Sequence, residues 1–246
     1  MATVSVGSEH SADHELARID EAGGRLTVTV SALSAESLRE PSLLPGWTRA
    51  HVLAHLVGNA DGLRNLLTWA RTGVETPQYA SREERDSQIE ARSALPADEL
   101  AAELARSAAA FSDAARDMPA SAWAAAVGGL NGPPHPAWFT LHRRLAEVEI
   151  HHVDLDAGYG PADWQPEFVE EMLYQVAGRL AADPDAPAAV VTDSGTGRQF
   201  LLAPGRPAEL TVTGPGHVLL AWLIGRDDGA GLAADPPGPL PPVPAF

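Results

Sequence analysis

The chain has 246 residues, a formal net charge of −16 and no cysteine. This charge argues against non-specific nucleic-acid binding, which needs clustered lysine and arginine, and it fits a soluble cytoplasmic protein. The absence of cysteine excludes disulfides, zinc sites with cysteine ligands and a nucleophilic cysteine.

Apolar residues at helical spacing predict five helices in the first two thirds of the chain. The predicted helices span 11–34, 49–71, 81–92, 96–118 and 137–157. The run Thr-Val-Thr-Val at 27–30 prefers strand locally, but the spacing of the apolar residues around it favours helix. Gly73 is a plausible stop for the second helix, and 131–136 reads as a loop. No apolar run approaches the about 20 residues of a membrane span, and 1–13 lack the features of a signal peptide.

The pattern changes after Gly158. A helix is predicted over 167–182, then strands over 189–192, 199–202 and 209–213, then a last helix over 215–225 and a proline-rich tail over 236–246. We therefore expect an α+β protein, with an antiparallel four-helix bundle over 1–160 and a smaller C-terminal α+β domain with the tail over 161–246. We expect it to be a monomer.

Three residues suggest a metal site. Glu147 and His151 are four residues apart and share one face of the fifth predicted helix, whereas His55 lies on the second. Two imidazoles, one carboxylate and an open position are the arrangement of a catalytic zinc site. The alternative for Glu147 is a surface salt bridge with Arg143 or Arg144.

Other polar residues lie close to these three in the sequence. A pair formed by His51 and His55 is an alternative metal clamp, although His51 is better interpreted as a surface or supporting histidine. His152 projects about 100° away from His151 and should pack or form a hydrogen bond. Asp154 could orient a ligating imidazole or lie on a polar face, and Asn59 could touch substrate or hold water.

Five separated motifs carry a resemblance to one known family. They are LPGWTRAHVLAHL at 44–56, WARTG at 69–73, REERD at 82–86, EVEIHHVDL at 147–155 and WLIGR at 222–226. In this order they resemble the mycothiol-dependent maleylpyruvate isomerases, which belong to the DinB-like four-helix superfamily. The resemblance covers most of the chain and implies a DinB-like bundle in which His55, Glu147 and His151 are the metal ligands.

The resemblance also implies a reaction. Zn²⁺ or another divalent metal would activate the thiol of mycothiol, which would add to a cis C=C bond, allow rotation and leave again. Maleylpyruvate would become fumarylpyruvate, so the partners would be an unsaturated dicarboxylate or related electrophile and a low-molecular-weight thiol. Arg85 and Arg226 would stabilise the anionic substrate or enolate, with Arg226 facing the cleft between the domains.

Other interpretations of the sequence remain open. For Arg85 the alternative is a solvated helix face, and for Arg226 it is a charge favoured by the helix dipole. A mycothiol S-transferase or an isomerase of specialised metabolism would use the same scaffold. A metal-binding sensor or interaction module without turnover would instead predict a closed coordination sphere and no cleft at the domain junction.

Overall fold

The computed structural model describes residues 9–128 and 133–244. The chain forms two compact units, Met1–Gly158 and Tyr159–Phe246. The first is helical and the second contains a small mixed sheet, which confirms the predicted α+β class. Within the described residues, no helix combines the length and apolarity needed to cross a membrane.

The first unit is built around a helix bundle. Its α-helices within the described residues are α1 (Glu9–Ala32), α2 (Arg49–Thr72), α3 (Arg82–Ser93), α4 (Ala97–Arg116) and α5 (Phe139–Asp154). Both α1 and α2 pack against α4 and α5, which makes a bundle of four, and α3 lies along α2. All five predicted helices are confirmed, with ends shifted by a few residues.

Packing decides the conformation of the strand-favouring run in α1. Leu26 and Val30, one turn apart, are buried in the bundle, whereas Val28 between them is exposed. Helical spacing therefore buries the larger part of the apolar surface, and burial outweighs the local preference of β-branched residues for strand.

Two sequence predictions about the connections need correction. Pro96 was expected just inside α4 but precedes it as the N-cap residue, with φ −54° and ψ 147°, outside the helical region. The predicted loop over 131–136 contains a short strand, β2 (His135–Pro136), which pairs antiparallel with β1 (Ala126–Val127). Residues 131–132 of that loop lie outside the described part of the chain.

Gly73 ends α2 as predicted. Its φ of 73° lies in the left-handed region, and its N–H donates to the carbonyl of Trp69.

The second unit packs helices beside a four-stranded sheet. Its elements are α6 (Pro166–Ala181), β3 (Ala189–Asp193), β4 (Gln199–Leu201), β5 (Leu210–Gly214), α7 (Gly216–Leu223) and β6 (Ala233–Asp235). The sheet order is β4-β3-β5-β6, with β3 and β5 parallel and the outer pairs antiparallel. The sequence missed β6, because its Ala-Ala-Asp has little intrinsic strand preference and depends on pairing with β5. The described part of the proline-rich tail, 236–244, contains no helix or strand, as predicted.

Gly62 in α2 provides a test of how closely the segment around Gln78 packs against α2. A Cβ there would lie 2.7 Å from both Cγ and the carbonyl oxygen of Gln78, too close for either atom. We expect Gly62→Ala to lower the free energy of unfolding by about 1–3 kcal/mol despite the better helix propensity of alanine. Denaturant unfolding measures it.

The matched control is Gly24→Ala in α1. A Cβ at Gly24 meets nothing within 4 Å, so this variant should gain about 0.5–1 kcal/mol. A Gly62→Ala variant that is also stabilised would contradict the close approach of the segment around Gln78 to α2.

Candidate metal centre

The packing of α5 against α2 brings the three predicted ligand residues together. His55 Nε2 lies 2.8 Å from Glu147 Oε2, and His151 Nε2 lies 3.3 Å from the same oxygen. Single ligand atoms from the three residues all fall within 4.8 Å of one another. His55 is buried, and its ring centroid lies 4.6 Å from that of His151 in an edge-on arrangement.

These separations suit one small cation. Tetrahedral zinc with bonds of about 2.0–2.2 Å has ligand atoms about 3.3–3.6 Å apart. The contact between His151 and Glu147 already has this length, and that between His55 and Glu147 is about half an ångström shorter, as a direct hydrogen bond requires. The donor set of two imidazole nitrogens and one carboxylate oxygen is also typical of catalytic zinc. The residues therefore fit a divalent metal, and their assignment as ligands stays a prediction.

Asp154 fixes the tautomer and the orientation of the His151 ring. Its Oδ2 lies 2.8 Å from His151 Nδ1, and because a carboxylate accepts, Nδ1 carries the hydrogen. The Asp154 side chain is fully buried. Burial alone would lower the pKa of His151, but the hydrogen bonds to Asp154 and Glu147 outweigh it and raise the pKa to about 9. When the His151 ring is neutral, Nδ1 keeps its hydrogen and the lone pair on Nε2 faces Glu147, as in carboxylate–histidine–metal arrangements.

His55 has the opposite arrangement. Arg85 Nη2 lies 3.3 Å from His55 Nδ1, and since a guanidinium only donates, Nδ1 is the acceptor. The hydrogen of the neutral ring then lies on Nε2 and is donated to Glu147. Burial lowers the pKa of His55; Glu147 opposes this shift, whereas His151 and Arg85 add to it.

Glu147 stays ionised between the two imidazoles. Burial by itself would raise the pKa of Glu147, but the charge and hydrogen bonds of His55 and His151 hold it well below its ordinary value. The alternative of a surface salt bridge does not describe this residue, because Arg143 donates to Gln78 and His135, and Arg144 donates to Leu56 and Asn59.

A polar cavity of about 210 Å³ opens beside the cluster. It is lined by His55, Asn59, Gln78, Tyr79, Arg82, Arg85, Arg143 and Glu147. Three guanidinium groups thus line the same cavity as two of the candidate metal ligands, His55 and Glu147. Burial and the charge of Glu147 raise the pKa of Tyr79, which keeps its phenol protonated, while Arg85 and Arg143 oppose the shift.

Comparison with known proteins identifies the family. The sequence profile described as the mycothiol maleylpyruvate isomerase N-terminal domain matches residues 19–156. The chain belongs to the mycothiol-dependent maleylpyruvate isomerase family. A search of curated protein sequences finds no match.

Two solved structures from this family resemble the whole chain. The crystal structure of the mycothiol-dependent maleylpyruvate isomerase is 30% identical, with a TM-score of 0.90, over 96% of this chain and 97% of that one. A histidine-to-alanine mutant of a mycothiol-dependent maleylpyruvate isomerase is 29% identical, with a TM-score of 0.89 and the same coverage. The predicted family is therefore confirmed, and the profile match spans all three candidate ligands of this family member.

The neighbouring histidines have other partners. His51 Nδ1 lies 2.7 Å from the hydroxyl of Thr48 and accepts from its backbone N–H, so it caps the start of α2. His152 Nε2 lies 2.7 Å from the hydroxyl of Thr29 in α1. Both contacts fix helices of the bundle, and the candidate metal ligands remain His55, Glu147 and His151.

The two predicted catalytic arginines are in different units. Arg85, in α3, lines the cavity and contacts His55. Arg226 belongs to the second unit, where it follows Gly225 at the end of α7. Its backbone N–H donates to the carbonyl of Ala221 and its Nη1 to that of Ile224. The predicted role of Arg226 in turnover stays a prediction.

Sequence reasoning missed Gln78 and Arg143 as cavity residues. A signal for Arg143 was present, because it lies four residues before Glu147 and eight before His151, on the same face of α5. Gln78 lies in a segment without helix or strand, where no periodicity indicates which side chains turn inward.

Substitutions of two glutamates in α5 distinguish an effect on metal affinity from an effect on stability. Glu149, two residues after Glu147, is buried and accepts a hydrogen bond of 2.6 Å from Arg25 in α1. Substitution of a residue that supports a metal ligand typically lowers metal affinity by about 10–100-fold. We expect Glu147→Gln, which changes a candidate ligand itself, to lower zinc affinity by more than this. Zinc competition titration with a chromophoric chelator measures it.

Glu149→Gln is the matched control. It should keep the zinc affinity but lower the free energy of unfolding by about 1–2 kcal/mol, because the ion pair with Arg25 is lost. Equal effects of the two substitutions on zinc affinity would contradict the assignment of Glu147 as a ligand.

Proposed function

We propose that this protein is a mycothiol-dependent cis–trans isomerase that converts maleylpyruvate, or a closely related unsaturated keto diacid, into its trans isomer. The observation that carries the proposal is a cluster of two imidazoles and one carboxylate that borders a cavity lined by three arginines. Membership of the maleylpyruvate isomerase family supports the reaction class.

His55, Glu147 and His151 would hold the metal. A divalent metal in this site supplies Lewis acidity, which lowers the pKa of a bound thiol so that the thiolate predominates near neutral pH. The chain contains no cysteine, so the sulfur must come from a small thiol. Mycothiol is the thiol named for the similar structures.

The arginines of the cavity suit the proposed substrate. Planar guanidinium groups bind carboxylates through paired hydrogen bonds, and Arg82, Arg85 and Arg143 line one small space. Attack of a thiolate on the cis C=C bond moves its π electron pair onto the conjugated carbonyl oxygen and leaves a C–C single bond. Rotation follows, and return of the electron pair re-forms the double bond and releases the thiolate. No atom is gained or lost.

Metal loading and Arg85 are linked through the His55 ring. A neutral imidazole that gives its Nε2 lone pair to a cation carries its hydrogen on Nδ1, and Nδ1 faces the donor Arg85 in the structure. With a metal held by His55, Nδ1 and Arg85 would both be donors, and this contact would not form. The guanidinium would then be available to an anionic substrate in the cavity that it lines.

A non-catalytic metal module predicts a closed coordination sphere. The candidate cluster borders a cavity of about 210 Å³ within the first unit, which leaves room for a small molecule and supports an enzyme.

A mass-resolved assay tests the function. Purified protein with zinc, mycothiol and maleylpyruvate should give a product of unchanged mass with trans geometry, and each omission should abolish turnover. Mass spectrometry and NMR coupling constants across the double bond measure the outcome. A product heavier by one mycothiol would assign S-transfer instead, and inactive zinc-loaded protein would refute the proposed reaction.

Arg85→Ala should lower turnover without lowering zinc affinity. Turnover should fall by about 10²–10³, because a stabilising donor is lost. Zinc affinity should stay the same or rise, because removal of Arg85 also removes the donor that faces Nδ1 of His55. Steady-state kinetics and zinc competition measure both quantities.

Arg116→Ala is the control for Arg85→Ala, because it removes an exposed arginine that pairs with Asp20 and Asp113 instead. It should change neither zinc affinity nor turnover. Loss of zinc in Arg85→Ala would give Arg85 a structural role.

A further inference from the structure

The amide of Asn59 has a fixed orientation. Its Oδ1 accepts a hydrogen bond of 2.9 Å from Arg144 Nη1. A guanidinium has only donors, so the oxygen of the amide must face Arg144 and the NH₂ group must face away from it. Asn59 is 1% exposed and Arg144 is 2% exposed, and Arg144 also donates to the carbonyl of Leu56. The orientation is thus built into the core of the bundle.

The amide of Gln78 is fixed in the same way. Its Oε1 accepts a hydrogen bond of 2.9 Å from Arg143 Nη2. The second amino group of that guanidinium lies 3.2 Å from His135 Nε2. Gln78 is 5% exposed and, like Asn59, lines the cavity beside the candidate metal ligands.

Both NH₂ groups are unused by the protein. Among the described residues, the hydrogen bonds of these two amides are those accepted by their oxygens, and neither Asn59 Nδ2 nor Gln78 Nε2 donates to a protein atom. Neither nitrogen is sealed from solvent, so each NH₂ group is open to the cavity that its residue lines and can donate to an acceptor atom of a ligand there. The amides are neutral, in contrast to the arginines that line the same space.

We propose that Asn59 and Gln78 form a neutral donor pair for the keto oxygen that is conjugated with the C=C bond of the substrate. This inference rests on the proposed isomerase function. The arginines match the carboxylates, whereas the amide pair matches the oxygen on which negative charge develops when the thiolate adds. Donors whose orientation is set before the reaction stabilise such charge without reorganising.

Isosteric substitutions remove the donors and keep the core contacts. Asn59→Asp and Gln78→Glu replace each NH₂ by an oxygen while the other oxygen still accepts from Arg144 or Arg143. Asn65→Asp is the control, because it adds the same charge to α2 at a residue that donates to the carbonyl of Pro77.

The binding probes are 2-oxoglutarate and glutarate, which have equal charge and differ in one keto oxygen. An added carboxylate weakens the binding of both probes, and chelation of the metal by the keto acid is common to every variant. Loss of a donor weakens the binding of the keto acid alone. Calorimetry on zinc-loaded protein should show that the parent and Asn65→Asp prefer 2-oxoglutarate, and that this preference falls by about 3–10-fold in Asn59→Asp and Gln78→Glu.

Turnover provides the second readout. With maleylpyruvate, the two cavity variants should lose about 10²–10³ in kcat at unchanged zinc content and melting temperature. A parent without preference for the keto acid, an unchanged preference in both variants, or losses of zinc and Tm in step with turnover would overturn the donor pair. A parent that is inactive but shows the predicted shift in preference would refute the isomerase reaction and keep the donor pair.

Discussion

The buried guanidinium of Arg144 fixes α5 against α2, and the candidate site depends on that register. Arg144 donates to the backbone of Leu56 and to the amide of Asn59, one residue and one turn beyond His55. Glu147 follows Arg144 by three residues, so it arrives opposite His55. Burial lowers the pKa of Arg144 to about 10, with part of the effect offset by Glu147, and the group therefore stays charged at neutral pH. A buried charge is costly unless its hydrogens are satisfied, which ties both helices to one arrangement.

The two imidazoles of the cluster differ because of the groups behind them. Asp154 accepts a hydrogen bond from Nδ1 of His151. The neutral ring of His151 can therefore offer its Nε2 lone pair to a cation. Arg85 donates to Nδ1 of His55. The ring of His55 could therefore offer its Nε2 lone pair to a cation only without this contact. In the proposed metal site, Asp154 would orient His151 before the metal binds, whereas Arg85 would have to leave His55. Metal affinity and the position of Arg85 would then be linked.

Much of this architecture could be predicted from the sequence. The helices and three of the four strands in the second unit follow from periodicity, and His55, Glu147 and His151 follow from spacing and from motifs. The cavity could not be predicted completely. Gln78 lies in a segment without a repeating pattern, and the orientation of its amide follows from a guanidinium 65 residues away. Contacts between distant parts of the chain decide which polar side chains become cavity walls.

The distribution of charge favours selective capture of a small anion. The chain carries a net charge of −16, yet Arg82, Arg85 and Arg143 line one cavity of about 210 Å³. Screening by salt reduces the repulsion from distant surface carboxylates to little, because the Debye length is about 8 Å at physiological ionic strength. Attraction inside the cavity acts at short range and is screened less. The cavity would therefore suit the small dicarboxylate of the proposed reaction. In the proposed reaction a third anionic centre would arise only when the thiolate adds. A neutral amide donor would favour that state, whereas a further permanent cation would bind the resting substrate more tightly without favouring the transition state.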